Sequence, residues 1–219
     1  QVVGHGIPNA VLNDFTGALD AFFALPLDEK KRYVRPGSEN RGYSPPKSES
    51  LSYSLGVDPV TRMNYFFEAF NVGTSAAEYP GSTATPADYA ENTWPAETRI
   101  FEPAVRAYYG EARRVAQTLT RIFAAALRVP DDFFDDVTDH SIDVLRMNNY
   151  ALPPGSIELG AELTGMGEHT DFGLVTVLWA DQIAGLQVLG QDGSWNDVSP
   201  ARGALLVNLG DVAARLTND

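Results

Sequence analysis

The 219-residue sequence contains no cysteine, only 3 His, and 16 basic residues against 29 acidic ones. Without cysteine the chain can form neither a disulfide framework nor a thiolate zinc site, and it has no cysteine nucleophile. This composition fits a reducing compartment, so we expect a cytoplasmic protein. The net charge of −13 repels nucleic-acid phosphates and anionic lipid. We therefore expect neither a nucleic-acid nor a membrane partner.

Long apolar runs are also missing, because none approaches the ~18 residues of a membrane-spanning helix. The chain is 44% hydrophobic and 11% aromatic with 21% charged residues, which is typical of a soluble globular protein. Its length and the lack of an obvious linker predict a single domain over residues 1–219, which we expect to be a monomer.

Helical periodicity is present in two main stretches. Apolar residues recur at intervals of three and four from Val11 to Phe23, just after Pro8, and this predicts a helix. The same pattern predicts a long helix over residues 97–127, followed by Pro130. A cluster of four aspartates comes next, between residues 131 and 136, and we interpret it as a short capped helix with a solvated face and not as a catalytic acid pair.

Period-two patterns and apolar runs predict the strands. They cover residues 65–72, 141–150, 175–179, 186–189, 195–198 and 203–209. The pair 186–189 and 195–198 flanks an Asp-Gly sequence at Asp192 and Gly193, which predicts a hairpin. We expect the run 175–179 to be a buried strand because it contains only apolar, aromatic and β-branched residues.

The most informative stretch is Gly-Glu-His-Thr-Asp at residues 167–171, which precedes that strand. Side chains two apart on a strand share a face, so His169 and Asp171 can reach one metal ion. Two His and one carboxylate on one face of an octahedron are the ligands of non-heme Fe(II) oxygenases, provided that a second His exists. By itself a His-x-Asp triplet also occurs by chance. We interpret the other two histidines, His5 and His140, as turn residues.

The context of this triplet carries a resemblance to a known family. Glycines surround the triplet and a strand follows it. The chain then continues, in this order, with Gly185-Leu186-Gln187-Val188-Leu189, Trp195-Asn196-Asp197-Val198 and Gly203-Ala204-Leu205-Leu206-Val207-Asn208-Leu209-Gly210-Asp211. With them the chain resembles the isopenicillin N synthase-like family of Fe(II)- and 2-oxoglutarate-dependent oxygenases. The resemblance implies a mainly β fold with flanking helices, namely a double-stranded β-helix or distorted jelly roll.

The resemblance also implies cofactor and substrate residues. In the family an Asn-x-Tyr on a strand faces the iron, and its Tyr hydroxyl binds a 2-oxoglutarate carboxylate; here these positions are Asn148 and Tyr150. The period of two places Arg146 on the same face, and we expect it to contact substrate. The strand at 65–72 resembles one that ends near the substrate pocket, so Phe70 is a second candidate for substrate binding. The alternative for Arg146, Asn148 and Tyr150 is a row of inward polar side chains that bind one another or their neighbours. The alternative for Phe70 is simple core packing.

The family pattern further implies a second His some fifty to sixty residues after the Asp, followed by an Arg-x-Ser that binds 2-oxoglutarate. Only 219 − 171 = 48 residues follow Asp171, and none is His. The chain also opens without Met, inside what looks like a strand. We therefore expect portions at both ends to be missing, with the third ligand and the 2-oxoglutarate-binding Arg beyond residue 219.

The implied function is oxidation of a small molecule by O2 with Fe(II) and 2-oxoglutarate, releasing succinate and CO2. The outcome could be hydroxylation, desaturation or cyclisation. One alternative is an Fe(II)-dependent oxidase or ethylene-forming-type enzyme of the same fold. An alternative of another class is a non-catalytic roll that only binds a small molecule.

Overall fold

A computed structural model describes residues 1–48, 65–81, 88–150 and 165–218. The backbone divides into two units that interleave along the sequence. Unit 1 contains Gln1–Pro8, Glu111–Phe134 and Thr170–Asp219, and unit 2 contains Asn9–Gly110 and Asp135–His169. Since each unit is assembled from separate segments, this division does not test the prediction of one domain, which stays a prediction.

The described residues contain five α-helices. They are α1 (Asn9–Phe23), α2 (Leu27–Lys30), α3 (Phe101–Leu127), α4 (Asp135–Thr138) and α5 (Asp211–Thr217). Two of them, α1 and α3, lie where the periodicity indicated them or close by. The buried positions of α1 are Leu12, Phe15, Ala18 and Phe22, which is the predicted stripe. The long helix begins at Phe101 and not at residue 97, because a turn precedes it in which the Phe101 N–H donates to Thr98 O.

Unit 2 is built on an antiparallel sheet with strand order β1-β2-β3. Its strands are β1 (Gly42–Ser44), β2 (Glu68–Gly73) and β3 (Val144–Asn149). Asn71 pairs with Arg146, and Ala69 pairs with Asn148. Because directly opposite residues share a face, Arg146 and Asn148 lie on the same face as Ala69 and Asn71.

The other face of this sheet packs on an aromatic core. Phe22 is central, with its ring centroid 4.9 Å from that of Phe70 and 5.1 Å from that of Phe101. Phe15 stacks on Tyr108 at 4.0 Å. All six residues of β2 are buried. Those that share the face of Phe70 point to this core, and Ala69 and Asn71 lie on the face of Arg146 and Asn148.

Unit 1 contains two pairs of antiparallel strands. Val175–Leu178 (β4) pairs with Leu206–Leu209 (β7), and Leu186–Leu189 (β5) pairs with Trp195–Val198 (β6) in the predicted hairpin. Gly193 has φ 79°, a value that the hairpin turn requires and that glycine adopts freely.

The expectation that β4 is buried is wrong within the described residues. Its first three residues are half-buried and Leu178 is 38% exposed. The reason is that β4 has one described neighbour, β7, and no described layer covers its faces completely. The start of the chain is also less regular than the predicted strand, because Val2 forms only an isolated bridge with Leu205.

No single helix in the described ranges is both long and apolar enough to cross a bilayer. A bent pair, Asn9–Phe23 with Leu27–Tyr33, would pass on length and composition alone. Parts of the predicted irregular segments, 49–54 and 82–87, and the end of the strand region after Tyr150 lie outside the described residues.

Candidate metal centre

His169 is the last residue of unit 2 and lies in irregular backbone. Its side chain is exposed, and its Nδ1 lies 2.8 Å from the Gly167 carbonyl oxygen. A carbonyl accepts only, so Nδ1 carries the proton and Nε2 is the nitrogen with the lone pair. Metal-binding histidines commonly have this arrangement, because a hydrogen bond from one ring nitrogen to a carbonyl fixes the ring and raises the basicity of the other.

Asp171 lies in unit 1, just before β4, and is half-buried. The Asn208 side-chain amide on β7 donates to Asp171 Oδ2 over 2.9 Å. The backbone of the same residue is held as well, since the Asp211 N–H donates to Asp171 O over 2.7 Å. Both the side chain and the backbone of Asp171 are thus hydrogen-bonded to the segment in which β7 leads into α5.

That segment approaches the Asp171 loop closely. The Gly210 N–H donates to Leu174 O at 3.1 Å, and the Val212 N–H donates to Phe172 O at 3.3 Å. A Cβ on Gly210 would lie 2.2 Å from Gly173 O and 2.7 Å from Asp171 O. Only glycine allows the two backbones to come this near, so Gly210 is required for the position of Asp171.

The boundary between the units falls between His169 and Thr170, so each candidate ligand is described within its own unit. The donors suit iron: an imidazole nitrogen and a carboxylate oxygen, each with a hydrogen bond that orients it. Within the described ranges, no group of three His, Asp or Glu side chains is placed to hold a metal ion. The donor types present are thus two of the three that such a site requires.

The two other histidines contact nearby groups within their own units. His5 accepts from the Ile7 N–H through Nδ1 at 3.2 Å, and its Nε2 donates to Gly203 O at 3.1 Å. His140 Nδ1 lies 2.8 Å from a carboxylate oxygen of Asp139, its neighbour in the chain. His140 lies in a turn and His5 in irregular backbone before α1. That neither of them is a metal ligand stays a prediction.

The polar face of β3 forms a second candidate region, contained in unit 2. Arg146 places its guanidinium 5.6 Å from the ring centroid of Phe67, and its Nη1 lies 3.5 Å from Asn71 Oδ1. Asn148 is exposed on the same face. A narrow surface cleft, too small to enclose a water molecule, lies beside Arg146 and is also lined by Ser44 and Tyr65.

Tyr150 extends this region past the end of β3. Its ring centroid is 4.8 Å from that of Phe67 and 6.0 Å from that of Phe66, while 46% of the residue remains exposed. Partial burial raises the pKa of Tyr150 above its usual 10.0, and the nearby Arg146 guanidinium opposes this shift. The phenol therefore remains protonated at neutral pH and can donate a hydrogen bond. The structure brings Arg146 and Tyr150 together around Phe67.

Phe70 does not join this region, and its assignment to substrate binding is corrected by the structure. It pairs with Met147 and Tyr43 on the opposite face of the sheet from Arg146. It is 0% exposed and packs between Phe22 and Phe101. The physical reason is the period of two: neighbouring positions on β2 face opposite ways, and position 70 faces the core.

Sequence reasoning gave no role to Asn208, Asp211 or Asn71. Asn208 could have been noticed as a polar residue within an otherwise apolar strand, two residues before a Gly-Asp pair. The contact between Asn208 and Asp171 could not have been predicted, because it joins positions 37 residues apart and depends on the pairing of β4 with β7.

Comparison with family profiles gives two matches that together leave only the middle of the chain uncovered. Residues 1–97 match the N-terminal region described as that of a non-haem dioxygenase in morphine synthesis. Residues 142–219, which include His169 and Asp171, match the 2OG-Fe(II) oxygenase superfamily.

Relatives of the whole chain carry related names. The chain is 34% identical over 225 residues to the 2-oxoglutarate-Fe(II) type oxidoreductase hxnY of Emericella nidulans, covering 100% of this chain and 62% of that protein. It is 33% identical to gibberellin 20 oxidase 3 of rice, covering 100% and 57% respectively. The chain thus spans about three-fifths of the length of such relatives.

Solved structures similar to this chain have related descriptions. A 2OG-Fe(II) oxygenase family protein from Caulobacter crescentus superposes with a TM-score of 0.77 at 30% identity, over 97% of this chain and 65% of that one. A full-length Neurospora crassa protein, crystallised in complex with alpha-KG, gives a TM-score of 0.78 at 25% identity, over 98% and 64%.

Proposed function

We propose that the chain belongs to the 2OG-Fe(II) oxygenase superfamily, whose profile residues 142–219 match, and that the full protein is an Fe(II)- and 2-oxoglutarate-dependent dioxygenase. It would oxidise a small-molecule substrate with O2 and release succinate and CO2. Hydroxylation, desaturation and cyclisation all remain within this proposal. Relatives with these cofactors in their names, such as the 2-oxoglutarate-dependent dioxygenase citB of Monascus ruber, support it.

In this proposal His169 and Asp171 bind Fe(II), and the third ligand is the His predicted from the sequence. When bound, the metal with 2-oxoglutarate and O2 supplies the oxidising chemistry. The chain orients the ligands: the Gly167 carbonyl fixes the His169 ring, and Asn208 fixes the Asp171 carboxylate. The observation that supports this most is the match of residues 142–219 to the superfamily over a His-x-Asp whose two side chains are both hydrogen-bonded as ligands usually are.

We further propose that Tyr150 and Asn148 contact 2-oxoglutarate and that Arg146 contacts substrate. Tyr150 supplies a protonated hydroxyl, and Arg146 supplies a guanidinium beside the cleft in unit 2. A carboxylate is the natural partner of either group, since hydrogen bonds with one ionised member are stronger than neutral ones.

The wider architecture belongs to the same proposal. We propose a double-stranded β-helix, or distorted jelly roll, in a single monomeric oxygenase domain. The paired strands of both units are compatible with it, as is the structural likeness to the Caulobacter protein. A chain with no Cys has no need of an oxidising compartment, so the cytoplasm remains the proposed location.

The test is succinate release by the full protein with Fe(II), O2 and a panel of small molecules. The proposal requires release that depends on iron and increases with substrate. Oxygen uptake without succinate would favour the oxidase alternative, and neither signal, with a ligand still bound, would favour the non-catalytic roll.

Two substitutions test the metal assignment directly. His169→Ala and Asp171→Ala should each reduce iron-dependent turnover by at least about 100-fold, because each removes one ligand of a three-ligand site. His140→Ala is the matched control and should leave turnover unchanged, since its ring contacts the carboxylate next to it and not the site. Activity that survives either of the first two changes would refute the assignment.

A further inference from the structure

The Asp171 carboxylate has a specific partner on β7. Asn208 Nδ2 donates to its Oδ2 over 2.9 Å, and the contact lies within unit 1. An amide donates in a fixed plane, so this bond selects one rotation of the carboxylate and distinguishes its two oxygens. Asn208 is exposed, so burial does not require a polar partner for it there.

Residues 170 and 171 are also hydrogen-bonded to the segment that contains Asn208. Asn208 pairs with Thr176 in the β4–β7 ladder, which sets its place along the strand. Two residues later the chain turns into α5, where the Asp211 N–H donates to Asp171 O and the Thr170 hydroxyl donates to Asp211 Oδ2 at 3.1 Å. Three contacts therefore converge on residues 170 and 171 from a segment that itself contributes no proposed ligand.

We propose that Asn208 is a positioning residue for the metal site: by donating to Oδ2 of Asp171, it fixes the rotation of the carboxylate that would bind the iron. This inference rests on the proposed function, since it presumes that Asp171 is a ligand. It follows that Asn208 acts on metal affinity through the carboxylate, without touching the metal, and that its amide is the essential group.

The chain contains a matched control for this contact. On the β5–β6 hairpin, Gln187 Nε2 donates to Asp197 Oδ1, also over 2.9 Å, and the pair is likewise exposed and within unit 1. Gln187→Leu removes an amide-to-carboxylate bond of the same length, here between two paired strands, from an aspartate that is not a proposed ligand. Any general effect of losing such a bond appears in both variants.

The experiment measures Mn(II) binding to the full, metal-free protein by titration calorimetry and electron paramagnetic resonance, together with the Tm of the metal-free form. Asn208→Leu should raise the Kd for Mn(II) by about 10- to 100-fold, the usual range for a residue that orients a ligand. Gln187→Leu should leave the Kd unchanged while shifting Tm by a similar amount. Asn208→Gln, which keeps the amide, should recover part of the affinity.

An unchanged Kd in Asn208→Leu, or an equal loss in Gln187→Leu, would overturn the positioning role. If Asn208→Leu does not fold, Asn208→Ala gives the same comparison by truncating an exposed side chain. A different result would contradict the proposed function itself: the unaltered protein would not bind Mn(II), or Asp171→Ala would bind it equally well. Loss of binding in Asp171→Ala with normal binding in Asn208→Leu would reject the positioning role alone.

Discussion

At the scale of single residues, Tyr150 shows how an environment prepares a side chain for binding. Its ring packs against Phe66 and Phe67 while nearly half of the residue stays exposed. Partial burial raises the pKa of the hydroxyl, so it remains a donor at neutral pH despite the positive charge of Arg146 nearby. A hydroxyl that is both held and protonated suits an anionic partner.

Tyr150→Phe tests this at the proposed cofactor site. We expect the KM for 2-oxoglutarate to rise by an amount equivalent to about 0.5–3 kcal/mol, the contribution of one hydrogen bond to a charged group. The measurement is initial succinate release against 2-oxoglutarate concentration. Tyr89→Phe is the control, because its hydroxyl donates to the His140 carbonyl and should not affect this KM. An unaltered KM in Tyr150→Phe would remove the residue from the site.

At the scale of elements, the junction between β7 and α5 positions the candidate ligand loop. Strand β7 contributes Asn208, and the first turn of α5 contributes the Asp211 N–H. Between them, Gly210 lets the two backbones approach to a distance that no side chain would permit. The loop at 170–174 thus depends on a segment that follows it by almost forty residues.

Gly210→Ala should displace this loop. The added Cβ would meet Gly173 O at 2.2 Å, and a backbone atom cannot move aside as a flexible side chain can. We expect a loss of about 1–3 kcal/mol of stability, typical of overpacking, and weaker Mn(II) binding. Chemical denaturation and metal titration would measure the two effects.

Gly17→Ala is the matched control, because a Cβ there meets no heavy atom within 4 Å and the position lies inside α1. It should stabilise the protein by about 0.5–1 kcal/mol. Equal stability of the Gly210 and Gly17 variants would show that the close approach at Gly210 has no energetic consequence.

At the scale of the whole molecule, unit 2 is held by a buried ionic group within an aromatic core. Glu68 is 2% exposed; Lys30 Nζ lies 2.7 Å from its Oε2, and Asn149 Nδ2 donates to its Oε1 at 2.9 Å. The Tyr43 hydroxyl also donates to it. A buried carboxylate requires such partners, since removing one leaves an uncompensated charge. Asn149 links this group to β3, the strand of Arg146 and Asn148.

This group predicts a dependence of stability on alkaline pH. Burial, and then the hydrogen bond to Glu68, raise the pKa of Tyr43 above its ordinary 10.0. A raised folded-state pKa means that the stabilisation is complete below about pH 10 and is lost as the pH rises from there towards the folded pKa, because only the unfolded chain ionises readily. The slope for this one group is at most about 1.4 kcal/mol per pH unit.

The comparison is between the unaltered protein and Tyr43→Phe, with the free energy of unfolding measured between pH 8 and 11. The variant should be less stable at pH 8, since Glu68 loses a donor, by about 1–3 kcal/mol. Its stability should then fall less steeply above pH 10. Parallel curves would contradict the role assigned to Tyr43.

Local patterns in the sequence located most of the regular elements and predicted the chemical type of the site. Apolar spacing located α1 and α3, and the Asp-Gly at 192–193 located the hairpin, because local periodicity and turn chemistry depend only on near neighbours. The triplet at residues 169–171 and the strands after it indicated the family, and residues 142–219 match the profile of the 2OG-Fe(II) oxygenase superfamily. The face of β3 that carries Arg146 and Asn148 also followed from the period of two.

Only the tertiary structure decided which long-range partners these residues have. It moved Phe70 into the core, since the direction of a β2 side chain depends on which face Phe22 and Phe101 cover. It showed β4 to be half-buried, because burial depends on the layers around a strand and not on its composition. It also joined Asn208 to Asp171 through the β4–β7 ladder. Such contacts arise from strand pairing between distant segments, and no local pattern in the sequence encodes that pairing.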